Sequence, residues 1–417
     1  MALVLTIIKL IIVLSVVATI HEFGHFLFAK LFKMTVNEFS IGFGPKIFSK
    51  EHKGTKYSLR WILFGGYVAI EGEEGDSEDD NAFNKKPCWQ RIIVLVAGVL
   101  FNAILATVLF LGTNMVSPTF GTKISGIYEN GAAYVAGLRE GDVITKIEDK
   151  VTHIYQDVAL YNKTDKKDVT VEYLRDGKTY KTLVKDAVKK IGYMGVYFEA
   201  TKLDENGNVL SYVQVVEPGM PAASKIKAGD KILKVNDKET KLSIDVISEI
   251  STNAEKEVKI LVLRDGKEVE VKLVPATKLS FDLGLSNFAE EKTTVKTAFY
   301  KSISTISQIV GSYVDLFRGK VKVNQLSGIV GIGEMVSRTE GIAEFLSMMA
   351  MISLAVGIAN ILPFPPLDGG KVVLVLIEWI TKKKVPEKVE LILSYIGLGL
   401  LLALTVFVTI NDIIRVV

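Results

Sequence analysis

Hydrophobic residues along this chain gather into four long runs, each near the roughly 20 residues that cross a bilayer at about 1.5 Å rise per residue. They extend from Leu3 to about Leu31, from Ile92 to about Leu111, from Ile342 to Leu362 and from Leu391 to about Ile410, with a shorter apolar stretch at Val372–Ile380. The first run is expected to be a retained span. Its apolar core is too long for a cleavable signal, no basic segment precedes it, and no small-residue cleavage site follows. Lysine and arginine crowd the segment between spans one and two (Lys30, Lys33, Lys46, Lys50, Lys53, Lys56, Arg60, Lys85, Lys86, Arg91) and the one between spans three and four (Lys371, Lys382, Lys383, Lys384, Lys388). Basic short loops mark the cytoplasmic side, so the stretch from about 116 to 340 and both termini are expected on the other side. The acidic run from Glu71 to Asp80 reads as a solvated cytoplasmic loop.

Between spans two and three the pattern changes to short alternating segments, and it repeats. One copy reads ENGAAYVAGLREGDVITKIEDK around Asp142; the other reads EPGMPAASKIKAGDKILKVNDK around Asp230. Both continue to the pentapeptide LRDGK, at Leu174–Lys178 and Leu263–Lys267, and then to a glycine-bearing strand near Gly195 or Gly284. Asp176-Gly177 and Asp265-Gly266 lie between alternating apolar runs, which predicts tight hairpins because a type I′ turn needs positive φ at both central residues. Each copy is therefore predicted to be a small strand-rich domain with a short helix, and it resembles the PDZ domain. Such domains capture an extended peptide at a sheet edge. From about Lys292 to Arg318 the spacing predicts an amphipathic helix, lying on the outer membrane surface or packing against the second PDZ-like domain.

Composition sharpens this picture in three ways. With 49% hydrophobic residues, 23% charged residues and a mean hydropathy of +0.31, the chain is neither disordered nor collagen-like. Its one cysteine, Cys88, excludes an intrachain disulfide framework. A net charge of +3 gives no footprint for nucleic acid, and none is expected as a partner.

The chemistry is concentrated at the end of the first span, in His21-Glu22-Phe23-Gly24-His25. On a helix, positions i and i+4 share a face, so both imidazoles can reach one metal ion, and the adjacent Glu22 can act as general base. Ionisable residues inside a span are costly and point to function. A catalytic zinc wants a third protein ligand. The downstream Gly and His of the metzincin pattern are missing, since Phe28 and Leu31 stand there, and Glu38, Glu51 and Glu71 make no convincing candidate. Asn360-Ile-Leu-Pro-Phe-Pro-Pro-Leu-Asp368-Gly-Gly offers a better one. Its prolines must break the helix where span three ends, and backbone broken at membrane depth is tolerated only around a protein-enclosed or wet cavity. Asp368 is the expected third ligand, and Asn360 a donor to substrate or to a developing oxyanion.

These residues give the chain a resemblance to the site-2 protease family of intramembrane zinc metalloproteases, of the regulator-of-sigma-E protease type with two PDZ domains. The resemblance is carried by HEFGHFLFAK at His21–Lys30, FSIGFGP at Phe39–Pro45, FGGYV at Phe64–Val68 and WQRIIVLVAGVLFNAILA at Trp89–Ala106, then by LSGIVGI at Leu326–Ile332 and NILPFPPLDGG at Asn360–Gly370. Val99 and Ile329 depart from it, standing where the family usually has proline. It implies a multi-pass α-helical membrane protein with four transmembrane helices, two inserted α+β PDZ-like domains and a membrane-associated β-hairpin loop.

The expected segments are 1–115 (two spans, HExxH and hairpin), 116–200 and 201–280 (PDZ-like domains), 281–340 (amphipathic helix and connecting loop) and 341–417 (two spans with the LDG motif). The resemblance further implies Zn2+ held by His21, His25 and Asp368, catalysis by Glu22 with Asn360, and placement in the cytoplasmic membrane with the site towards the cytoplasm. Substrates would be single-span membrane proteins of the anti-sigma factor or remnant signal peptide class. Gly42, Gly44, Gly65, Gly66, Tyr67, Pro363 and Pro365 are expected to line the substrate strand. The rival readings are a non-enzymatic PDZ scaffold at the bilayer and a zinc transporter. A scaffold has no need of His21, Glu22, His25 and Asp368 together, and four spans without a polar path make a poor transporter.

Overall fold

The computed structural model describes residues 2–73, 75–159, 161, 166–199, 202–205, 208–217, 219–319, 328–337, 339 and 341–416. Glu74 of the acidic run, the expected boundary at 200 and 201, and Leu326 and Ser327 of LSGIVGI lie outside these residues. The chain divides into two compact units, residues 1–119 with 292–417, and residues 120–291.

In the helical unit, α1 (Ala2–Leu31) enters a β-hairpin of two long antiparallel strands, Val36–His52 and Thr55–Ile70, and α2 (Cys88–Val116) follows. The returning strand is used twice. Residues 38–41 pair with 66–69 and also lie beside 56–59, so the hairpin folds back on itself. The bend falls at Gly42, Gly44 and Gly65, whose φ values of +84°, +80° and +108° suit glycine rather than a residue with a Cβ. Arg60 ties the fold-back together by donating to Glu38, Ser40, Tyr67 and the Gly44 carbonyl. Burial raises the pKa of Glu38, but hydrogen bonds from Ser58, Arg60 and Tyr67 outweigh it and bring the carboxyl down to about 2.

Residues 120–291 form the sheet-rich unit, with short helices α3 (Ala132–Val135), α4 (Tyr155–Ala159) and α5 (Ser243–Thr252). Both predicted hairpins are present. Arg175 pairs with Lys178 and Arg264 with Lys267, and Asp176, Gly177, Asp265 and Gly266 all have positive φ. The repeat also encodes a buried ion pair. Asp142 and Asp230 are each 1% exposed, and each accepts two hydrogen bonds from the arginine of its own LRDGK, Arg175 or Arg264. Bidentate pairing satisfies a carboxylate that burial would otherwise leave costly.

The two apolar cores divide the chain in a way the repeat does not suggest. One contains Ile124, Ile144, Val169 and Val184 and is completed by Leu283. The other contains Ile232, Val246, Val258 and Leu273 and begins with Met194. The glycine-bearing strand that ends each copy in sequence thus packs into the core of the other copy. Sheet pairing agrees: Leu285–Glu291 extends the sheet of the first copy, while Val196–Phe198 pairs with Val213–Val216 of the second.

The chain then returns through α6 (Val295–Phe317), α7 (Ile329–Ser337), α8 (Ile342–Asn360), α9 (Asp368–Thr381) and α10 (Glu387–Val416). Among the described residues four helices are long and apolar enough to cross a membrane, at Val4–Leu31, Cys88–Val116, Ile342–Asn360 and Lys388–Ile410. The apolar stretch at Val372–Ile380 belongs to the separate, shorter α9. α7 accounts for two charges, one in the first span and one just past the last. Asp412 of α10 accepts from the Gly328 and Gly331 amides at its N-terminal end, and Lys9 of α1 donates to the Thr339 carbonyl beyond its other end. Both signs suit the helix dipole. The acidic run is less free than its sequence suggests, because Glu73 pairs with Lys371 at 2.7 Å and Asp76 with Lys384 at 3.0 Å.

Removing Arg264 while keeping Asp230 leaves an uncompensated buried charge. Arg264→Met is expected to destabilise the sheet-rich unit by about 3–5 kcal/mol, measured as lost amide-exchange protection in the full-length protein. Burial alone would raise the Asp230 pKa, but hydrogen bonding to Arg264 lowers it overall. The folded pKa therefore lies below the unfolded one. The pair's contribution is complete above about pH 4 and disappears as pH falls through the lowered value.

Candidate metal centre

His21 and His25 lie one turn apart on α1, both 7% exposed, with ring centroids 4.8 Å apart. Asp368 opens α9. The loop before it is held tight: a Cβ on Gly370 would stand 2.1 Å from the Pro365 nitrogen, so proline-rich loop and helix start pack backbone to backbone. This brings Asp368 Oδ2 to 3.0 Å from His21 Nε2 and 3.3 Å from His25 Nε2, while the two Nε2 atoms are 3.2 Å apart. Among the described residues these three form the group of His, Cys, Asp or Glu side chains whose ligand atoms converge, all within 4.8 Å.

The donor set fits a zinc ion. Nitrogen and oxygen ligands about 2.0–2.2 Å from a tetrahedral zinc stand roughly 3.3 Å from one another, close to the three separations here. Three lone-pair donors this near one another also repel unless a cation or shared protons lie among them. Apart from these two ring nitrogens, the buried Oδ2 of Asp368 has no hydrogen-bond partner.

α2 supplies the wall behind the rings. His25 Nδ1 donates to the Val94 carbonyl at 2.8 Å, which leaves its Nε2 free to face Asp368. One turn on, Gly98 leaves room for both rings, since a Cβ there would be 2.5 Å from His25 Nε2 and 2.6 Å from His21 Cε1. A further turn on, the side chain of the fully buried Asn102 lies 3.3 Å from His21 Nδ1. Val94, Gly98 and Asn102 were not singled out from sequence, although an asparagine within a span is itself a signal.

The remaining expected residues fall in two places. Glu22 Oε2 accepts from the Val68 amide at 3.0 Å, joining the HExxH helix to the returning hairpin strand. Asn360 ends α8 with Nδ2 3.5 Å from His21 Nε2. Gly66 and Tyr67 lie on that same strand, paired with Ile41 and Ser40 and adjacent to Val68, while Gly42, Gly44 and Gly65 lie at the bend. The Tyr67 hydroxyl is engaged by Arg60. Pro363 and Pro365 are in the loop between Asn360 and Asp368.

Two histidines, an aspartate and an adjacent glutamate thus converge in a unit that contains four helices of membrane length. Residues 9–404 match the sequence profile of peptidase family M50, the site-2 protease family, and the chain belongs to it. A Fusobacterium nucleatum protein named as a zinc metalloprotease, FN1322, is 30% identical, with 97% of each chain covered. A Thermotoga maritima protein named as a zinc metalloprotease is 28% identical over 99% of each chain. The regulator of sigma-W protease RasP of Bacillus subtilis is 27% identical over 98% of each. The enzyme is a zinc metalloprotease.

Crowding at Gly98 gives a direct test of this arrangement. Gly98→Ala is expected to spread the imidazoles and weaken zinc binding roughly 10–100-fold, the range for disturbing groups that hold metal ligands, as read by competition with a chromogenic chelator.

Proposed function

We propose that this protein hydrolyses peptide bonds within the transmembrane segments of single-span membrane proteins, of the anti-sigma factor or remnant signal peptide class, in regulated intramembrane proteolysis. The observation that carries the reading is the convergence of His21, His25 and Asp368 beside Glu22, between helices of membrane length. In this reading His21, His25 and Asp368 hold the zinc. When bound, it supplies Lewis-acid polarisation of a water and of the scissile carbonyl.

The chain's own residues do the rest. Glu22 takes the proton from the attacking water and returns it to the leaving amine. Its Oε2 is occupied by the Val68 amide, which orients the carboxylate and leaves Oε1 for that proton. Asn360, beside His21, donates to the carbonyl oxygen as charge develops there. A helical substrate shields its own peptide bonds and must present an extended strand. The hairpin around Gly42, Gly44, Gly65, Gly66 and Tyr67, together with Pro363 and Pro365 of the loop before Asp368, is the proposed bed for that strand.

The outer part of the hairpin exposes Phe48, Trp61, Ile62 and Phe64 near Lys46, Lys50 and Lys56, a composition suited to the membrane interface. The basic short loops support a site facing the cytoplasm, with two PDZ-like domains on the other side. The repeated strand-hairpin pattern of residues 120–291 supports the PDZ-like reading.

Glu22→Gln removes the base and keeps the three ligands. It is expected to bind zinc as the parent does and to cleave a model transmembrane peptide at least about 10²-fold more slowly, measured in detergent or proteoliposomes. Turnover at the parental rate would take Glu22 out of the mechanism. Comparison of membrane-derived peptides in cells carrying the two forms identifies the substrates.

A further inference from the structure

Asn102 has an unfinished hydrogen-bond account. It is completely buried, its Nδ2 stands 3.3 Å from His21 Nδ1, and its Oδ1 has no partner. A ring nitrogen that accepts from this amide must carry its proton on the other nitrogen, Nε2, which is the atom facing Asp368 and His25. That tautomer cannot offer Nε2 to a cation. A half-turn of the amide exchanges its two terminal atoms and reverses the relation: Oδ1 then accepts from Nδ1–H, and Nε2 is left with its lone pair facing inward. The second imidazole supplies the precedent within the same site, because His25 Nδ1 already donates to an acceptor on α2, the Val94 carbonyl. Val94 and Asn102 are two helical turns apart on one face of α2, with Gly98 between them making room for the rings.

We infer that Asn102 is a positioning residue for the metal centre, its side-chain oxygen accepting from His21 Nδ1–H and thereby fixing the tautomer in which His21 Nε2 is the ligand. This rests on the reading of His21 as a zinc ligand. α2 therefore provides an acceptor for each histidine, a main-chain carbonyl for His25 and a side-chain amide for His21. The backbone carbonyl of Asn102 is engaged separately, by the Ser353 hydroxyl of α8 at 2.9 Å, which steadies the turn carrying the amide.

The test uses the full-length protein, stripped of zinc and reloaded with zinc alone. Asn102→Leu keeps the size and loses the acceptor; Asn102→Asp keeps the acceptor. The leucine variant is expected to bind zinc about 10–100-fold more weakly, and the aspartate variant within about threefold of the parent. In 15N-histidine-labelled, zinc-free protein, the His21 ring (assigned by its loss in His21→Ala) is expected to carry its proton on Nδ1 in the parent and in Asn102→Asp. In Asn102→Leu it should divide between tautomers. Parental affinity in Asn102→Leu, an aspartate variant as weak as the leucine one, or a parental His21 protonated on Nε2 would each overturn the inference. Should His21→Ala bind zinc as tightly as the parent, it is the metal-site reading itself that fails.

Discussion

The fold depends on keeping three lone-pair donors together where water is scarce. Two imidazoles and a carboxylate among apolar helices are expensive to bury singly, and their mutual repulsion makes the cluster worse unless a cation joins them. A divalent ion reverses the sign of that sum. Held by these three side chains, it would turn an arrangement that loosens the helices into one that ties α1 to the start of α9, across nearly the whole length of the chain.

Several local features follow from that constraint. The proline-rich loop before α9 is packed backbone to backbone so that Asp368 projects from a fixed point. α2 meets the site with a glycine where bulk would collide with the rings and with acceptors on either side of it. The hairpin reaches the same place through the Val68 amide, so the HExxH helix and the strand beside it share a direct hydrogen bond. His21, His25, Asp368, Glu22 and the returning hairpin strand thus belong to one contiguous structure.

Much of this was legible in the sequence because it is local. Span length, the i, i+4 spacing of His21 and His25, the Asp-Gly turns and the helix break before Asp368 all follow from short-range geometry, and the helices and turns appear where the pattern places them. What was not legible is set by contacts between distant segments. Asn102 lies 81 positions from the ring it faces. The partners of Glu73 and Asp76 are about 300 positions further on. Which core a glycine-bearing strand enters depends on tertiary packing that a repeat cannot reveal, since both copies have the same apolar alternation. The fold-back of the hairpin was hidden for a similar reason: glycines announce a bend without saying what the bent strand will lie against.

The exchange of strands between the two cores makes the second copy an insertion into the first. Its chain leaves the first fold after Ala187 and comes back only at Phe281, to supply Leu283. Neither copy can be cut out at the repeat boundary without opening the other. Truncation series through this region will therefore report the loss of both modules at once, and any evolutionary shuffling of it must move the nested pair as a single cassette.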